Sequence, residues 1–166
     1  MPTLFATIFA LVFTACNVLA EHPRDAELEP VFAQKRAKFE TLITMTDQDR
    51  HVTRIARDFT WLDSTVAWPR PESELGFTPQ RWDDYRALFK DLGLEAGTNR
   101  PAGSEVLFLI ASAQGLVTGG SSKGYAFSRT ALRSSDVALD KIRPSGKSGV
   151  VYKHLEGNWY LYFDWD

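Results

Sequence analysis

The spacing of the apolar residues changes once along the chain, near residue 97. Before that point apolar residues recur every three or four positions, and beyond it they cluster in short runs such as 105–112, separated by glycine-rich turns. The first spacing is that of amphipathic helices and the second that of strands. Helices followed by strands are typical of the α+β class. We therefore predict two to three N-terminal helices packed on a C-terminal antiparallel β-meander.

Three segments have the helical spacing. The first spans about 28–43, and the third spans 78–93, where Thr-Pro at the start and glycine at the end supply cap signals. The second is predicted at 50–63, after an N-cap cluster that contains Asp47 and Asp49. Its apolar face would consist of Val52, Ile55, Phe59 and Leu62.

The string Gly-Gly-Ser-Ser-Lys-Gly at 119–124 lies between two short apolar segments, 115–118 and 124–128. A phosphate-binding loop needs Ser or Thr after its lysine and a helix beyond it, whereas Gly124 and a strand pattern follow Lys123 here. Glycine pairs are common in tight turns because glycine adopts positive φ without strain. We predict a flexible hairpin tip at 119–123.

The chain ends in a second predicted hairpin, with strands at 150–155 and 159–165 around a Glu-Gly-Asn turn. Side chains alternate between the two faces of a strand, so Tyr160 and Tyr162 lie opposite Trp159 and its neighbours. One face must enter the core. The two tyrosines are either interface anchors, together with Trp68, or neighbours along an edge strand.

An uncharged apolar run at 4–15 has the length of a signal-peptide core rather than of a membrane span. Two cleavage sites compete: one before Cys16, after a lipobox-like Phe-Thr-Ala, and one after Ala20; a retained anchor is a third alternative. We expect a signal peptide at 1–20, a tether at 21–29 and one domain at 30–166. The protein is then exported to the periplasm and anchored to a bacterial membrane by a lipid on Cys16, or released.

Composition excludes several classes of function. A net charge of −2 is not that of a general nucleic-acid binder, and a single cysteine excludes an intrachain disulfide or a cysteine zinc site. The three histidines are dispersed, so no metal ligand, cofactor or catalytic residue is predicted. A small hydrolase with its site around Ser121, Lys123 and His154 stays open as an alternative.

The segment 119–153 is basic, with seven cationic residues against two acidic ones. Such a segment favours an acidic partner, although an ordinary solvated loop would have the same composition. Candidate partner-binding residues are the cations and aromatic residues of this segment, the last strand and the Trp-Pro-Arg-Pro stretch: Trp68, Arg70, Lys123, Arg129, Arg133, Arg143, Lys147, Tyr160 and Tyr162.

The signal with Cys16, the Asp-Phe-Thr-Trp-Leu segment at 58–62, the Trp-Pro-Arg-Pro segment at 68–71 and the closing hairpin at 156–162 resemble those of small exported bacterial proteins and lipoproteins of uncharacterised function. In general outline the chain is similar to immunity and inhibitor proteins of the bacterial envelope. The resemblance implies a non-enzymatic binding protein that occludes a protein partner. A periplasmic hydrolase and a structural lipoprotein without a dedicated ligand are the alternatives.

Overall fold

The computed structural model describes residues 21–62, 65–66, 74–116, 119–144 and 146–166. The signal peptide, Cys16, Trp68 and Arg70 lie outside these ranges. The helices are α1 (Asp25–Gln48) and α2 (Pro79–Leu92). The strands are β1 (Val52–Ile55), β2 (Thr60–Leu62), β3 (Thr65–Val66), β4 (Gly97–Asn99), β5 (Leu107–Leu116), β6 (Gly119–Phe127), β7 (Gly149–Glu156) and β8 (Trp159–Trp165). A 3₁₀ turn covers Leu139–Lys141.

The strands form one antiparallel sheet in the order β3-β2-β1-β4-β5-β6-β8-β7. The α+β class is therefore confirmed, with two helices and with a short hairpin between them. No helix in the described part of the chain is long and apolar enough to cross a membrane.

The helix predicted at 50–63 is wrong, because this segment forms the hairpin of β1 and β2. A β-bulge between Val52 and Arg54 shifts the register of β1. Val52 and Ile55 are both buried as a result, although they are three residues apart, which is a helical spacing. Val52, Thr53 and Ile55 are β-branched and favour a strand.

Helix α1 begins at Asp25, inside the range 21–29 for which we predicted a tether. The backbone N–H of its N-cap, Arg24, donates to the carboxylate of its third residue, Glu27, at 2.7 Å, which is one half of a capping box. Asp25 and Leu28 are buried. Residues 25–29 thus belong to the folded domain, and residues 21–24 are the described residues that precede the helix.

The predicted hairpin tip at 119–123 is also wrong, because these residues pair with β5 as the first part of β6. The glycines here serve close approach between backbones rather than a turn. A Cβ atom on Gly124 would lie 2.1 Å from the carbonyl oxygen of Leu109, next to a register shift between Ile110 and Ser112. Only glycine fits at that point.

Both faces of the sheet bury apolar side chains. The larger core lies between the sheet and the two helices and contains the fully buried Phe39, Tyr85 and Trp159. A smaller cluster on the opposite face includes Tyr160 and Tyr162. The alternation predicted for the last strand is therefore confirmed, but both of its faces are covered.

Candidate functional site

A buried ionic network ties the start of α1 to β6, β7 and the 3₁₀ turn. The ammonium of Lys123, which is 2% exposed, lies 2.8 Å from Asp25 Oδ1 and 2.5 Å from Asp140 Oδ1. The ammonium of Lys153 lies 3.2 Å from Asp25 Oδ2 and 2.6 Å from Glu29 Oε1. We call these five residues the buried ionic network, after its two buried members, Lys123 and Asp25.

The carboxylate of Asp25 is the centre of this network. Burial alone would raise its pKa, but hydrogen bonds from Lys123 and from the backbone N–H of Leu139 outweigh burial and hold the pKa below its usual value. The hydrogen bonds that Lys153 donates to Glu29 and to Asp25 raise the pKa of Lys153 in turn. Asp25 therefore stays ionised at neutral pH, with both of its oxygens in contact with cations.

His22 connects the segment before α1 to the sheet through two side-chain contacts. Its Nδ1 lies 2.6 Å from Ser112 Oγ on β5, and its Nε2 lies 2.7 Å from Ser121 Oγ on β6. Burial, and then the positive charge of Lys123, lower the pKa of the imidazole. His22 is therefore neutral at pH 7. One nitrogen can accept a hydrogen bond while the other donates one.

A cavity of about 430 Å³ lies beside His22, between the segment before α1 and the 3₁₀ turn. Both apolar and charged side chains line it. It is lined by Glu21, His22, Arg24, Gln114, Lys123, Leu139, Asp140, Ile142, Arg143 and Phe163.

Residues 128–148, which we call the basic loop, cross from β6 to β7 with little regular structure; residue 145 is not among those described. The loop is held against the sheet. The N–H of Ser135 donates to the carbonyl of Tyr152 at 2.7 Å, and the N–H of Leu132 donates to the hydroxyl of Tyr160 at 3.2 Å. Leu139 is buried in the main core.

Four cations of the basic loop are exposed and form no ion pair with another described residue: Arg133, Lys141, Arg143 and Lys147. Arg129, at the start of the loop, is exposed but pairs with Asp47. The accessible positive charge of the loop therefore lies in its second half and at Arg133.

Three of the predicted partner-binding residues are not accessible. Lys123 belongs to the buried ionic network, Tyr160 is 4% exposed and Tyr162 is 1% exposed. The Tyr162 hydroxyl shares a hydrogen bond with Ser122, and burial raises its pKa. Burial contradicts a surface role for these three side chains, because a partner would have to open the sheet to reach them. Arg129, Arg133, Arg143 and Lys147 remain exposed.

The structure does not bring together the set Ser121, Lys123 and His154. His154 on β7 pairs with Tyr160 on β8. Ser121 on β6 faces a position of β8 that lies five residues beyond Tyr160. The Nε2 of His154 contacts the carbonyl of Gly157 in its own hairpin, at 3.0 Å. The histidine next to Ser121 and Lys123 is His22 instead. Sequence reasoning missed it because His22 lies directly after the apolar leader, in a stretch that looked like a tether.

Asp47 and Asp49 do not cap a second helix but connect the end of α1 to other elements. Asp49 accepts hydrogen bonds from Arg81 Nε at 2.8 Å and from the Tyr85 hydroxyl at 2.7 Å, both on α2. Asp47 accepts one from Arg100 at 2.9 Å. These contacts satisfy buried polar groups and position α2.

Within the described ranges no group of three or more His, Cys, Asp or Glu side chains is arranged to hold a metal ion. Comparison of the chain with protein-family models, with curated proteins and with solved structures gives no match.

Proposed function

We propose that this protein is a binding protein of the bacterial envelope, of the immunity or inhibitor type, which occludes an acidic surface of a protein partner with its basic loop. It would be held at a membrane by a lipid on Cys16, or released after Ala20. The observation that supports this proposal is the set of exposed cations on the loop that lack an ion-pair partner among the described residues.

The distribution of charge distinguishes the loop from the helical half of the domain. On α1 and α2 most cations lie beside carboxylates, as in the pairs Arg36–Glu40 and Arg86–Asp83. Paired charges project little field into solvent, whereas unpaired charges of one sign attract and orient a partner of the opposite sign. The loop is thus the part of the described surface best suited to an acidic partner.

The loop is also long for a connection within a compact domain, and long irregular loops are often functional. Its contacts with β7, β8 and the core anchor it to the rest of the domain. A preorganised surface loses less conformational entropy on association than a mobile one. Arginine is the residue type that often supplies binding energy at such surfaces, which favours Arg133 and Arg143 as anchors.

The test is affinity capture from bacterial envelope extract with the full-length protein and two charge-reversed variants. Arg133→Glu with Lys147→Glu should lose the stoichiometric partner. Arg57→Glu with Lys90→Glu changes the net charge equally at exposed positions outside the loop and should retain it. Raising salt from about 0.05 M to about 0.5 M should weaken capture, because exposed charges are screened.

Equal capture by both variants would contradict the proposed surface. Capture of no partner by any form of the protein, across extracts from several growth conditions, would contradict the binding function and favour a structural lipoprotein.

A further inference from the structure

Ser121 and His22 have the geometry of a nucleophile and its general base. The 2.7 Å contact joins Ser121 Oγ to His22 Nε2, and the 2.6 Å contact joins His22 Nδ1 to Ser112 Oγ. One neutral tautomer satisfies both contacts: Nδ1–H donates to Ser112, and Nε2 accepts the proton of Ser121. A hydroxyl bonded to a base that a third group orients is the arrangement used for nucleophilic catalysis.

The imidazole is in the protonation state that this chemistry requires. Its pKa lies below 6.5 because of burial and the nearby Lys123, so it is uncharged and able to accept a proton at neutral pH. The other charged groups that border the same cavity are Glu21, Arg24, Asp140 and Arg143.

Space for a substrate lies next to this pair. Ser121 faces Gln114 across the β5–β6 ladder and shares a sheet face with Lys123, and both of these neighbours line the cavity. The volume of this cavity, about 430 Å³, is within the range of small-molecule sites. Phe163, Leu139 and Ile142 are the apolar residues of its lining and suit a short acyl chain.

Lys123 provides positive charge at the same place. An ammonium has three donors, and Asp25 and Asp140 account for two of them. Lys123 borders the cavity, and its positive charge would favour the negative charge that develops on a substrate carbonyl oxygen during attack.

We propose that Ser121 is an acyl-transfer nucleophile, with His22 as its general base, Ser112 as the positioning residue of His22 and small carboxylic esters as substrates. Ser121 Oγ bonds to the ester carbonyl carbon while its proton moves to Nε2. The bond from that carbon to the leaving oxygen then breaks, and the leaving group takes the proton from Nε2. Water attacks the acyl-serine in the same way, releases the carboxylic acid and restores the Ser121 hydroxyl. This activity is independent of the proposed binding function.

A fluorophosphonate ester tests the nucleophile directly, because an activated serine displaces its fluoride and keeps the phosphonyl group. The full-length protein should acquire one adduct, which tandem mass spectrometry places on Ser121. Ser121→Ala should abolish the adduct. Ser122→Ala is the matched control: its side chain contacts the Tyr162 hydroxyl instead, and labelling should be unchanged. Hydrolysis of p-nitrophenyl acetate should fall by about 100-fold or more in Ser121→Ala.

The role of the base is tested by the pH dependence of labelling. The rate should rise with pH through the lowered pKa of His22, with a midpoint below 6.5. Ser112→Ala should slow labelling and displace this midpoint, which a merely structural role for Ser112 would not do. Thermal unfolding of each variant separates loss of chemistry from loss of fold.

Absence of an adduct on the folded protein, or equal labelling of Ser121→Ala and the parent, overturns the proposal and leaves His22 as an anchor for the segment before α1. The charge-reversed Arg133→Glu, Lys147→Glu protein should still be labelled, because neither residue lines the cavity. Loss of capture and loss of labelling are therefore separate results.

Discussion

The buried ionic network and the basic loop hold positive charge in opposite ways. Lys123 lies between two carboxylates with its side chain 3% exposed, while Lys147, further along the same basic segment, is exposed and unpaired among the described residues. A buried charge depends on its partners, because the protein interior solvates it poorly. An exposed charge adds little to stability but is available to a partner. The first region therefore contributes to the fold, and the second is suited to recognition.

The largest expected difference between the two regions is in stability. Lys123→Met leaves Asp25 and Asp140 without their closest cation, and the free energy of unfolding should fall by about 3–5 kcal/mol. Lys147→Met should change it by less than about 0.5 kcal/mol. Urea unfolding of the two variants measures both values. Similar losses in the two variants would remove the distinction between the regions.

A double-mutant cycle sharpens the comparison within the network. Asp25→Asn combined with Lys123→Met should cost less than the sum of the single substitutions, by about 1–3 kcal/mol, because neither charge is then left alone. The measurement is again the free energy of unfolding in urea. Additive losses would show that Lys123 does not stabilise the protein through Asp25.

Acid should weaken the network before it affects the loop. The folded-state pKa of Asp25 lies below its ordinary value of 3.8, so its contribution to stability is complete well above pH 3.8 and is lost as the pH falls through the folded pKa. Thermal melts between about pH 5 and about pH 2 should show a steeper decline for the parent than for Asp25→Asn. Parallel curves would contradict the role of Asp25.

The smallest expected effect is that of the loop charges on the fold. Arg133→Glu with Lys147→Glu should leave the free energy of unfolding within about 0.5 kcal/mol of the parent value, although it should remove partner capture. A large loss of stability would mean that these side chains pack against the sheet. Capture by the same variant could not then be interpreted as a test of binding.

The parts of the fold that could be predicted are those with local signals. Helix α2 has Thr78 as an N-cap, whose hydroxyl accepts a hydrogen bond from Arg81 N–H, and Gly93 in the left-handed region at its end. The terminal hairpin has its turn at Gly157, which also has positive φ. Each of these features is determined by residues close together in the sequence.

The errors share a different cause. The β-bulge in β1 and the close approach of Gly124 to Leu109 depend on a partner strand, so the residues alone did not show them. The same holds for the site. The cationic character of the basic loop was readable from its composition, whereas the burial of Lys123 and the contact of His22 with Ser121 arise from pairs separated by about a hundred residues.

The hydrogen bond between the Asp25 carboxylate and the 3₁₀ turn has a consequence for folding. The N–H of Leu139 reaches the Asp25 carboxylate across 114 residues, and Lys153 reaches it across 128. Synthesis begins at the N-terminus, so almost the whole polypeptide must be made before the Asp25 carboxylate, in the first turn of α1, can contact these two partners. Contacts of such long separation slow folding. The start of α1 should therefore be among the last parts of the domain to become protected against hydrogen exchange.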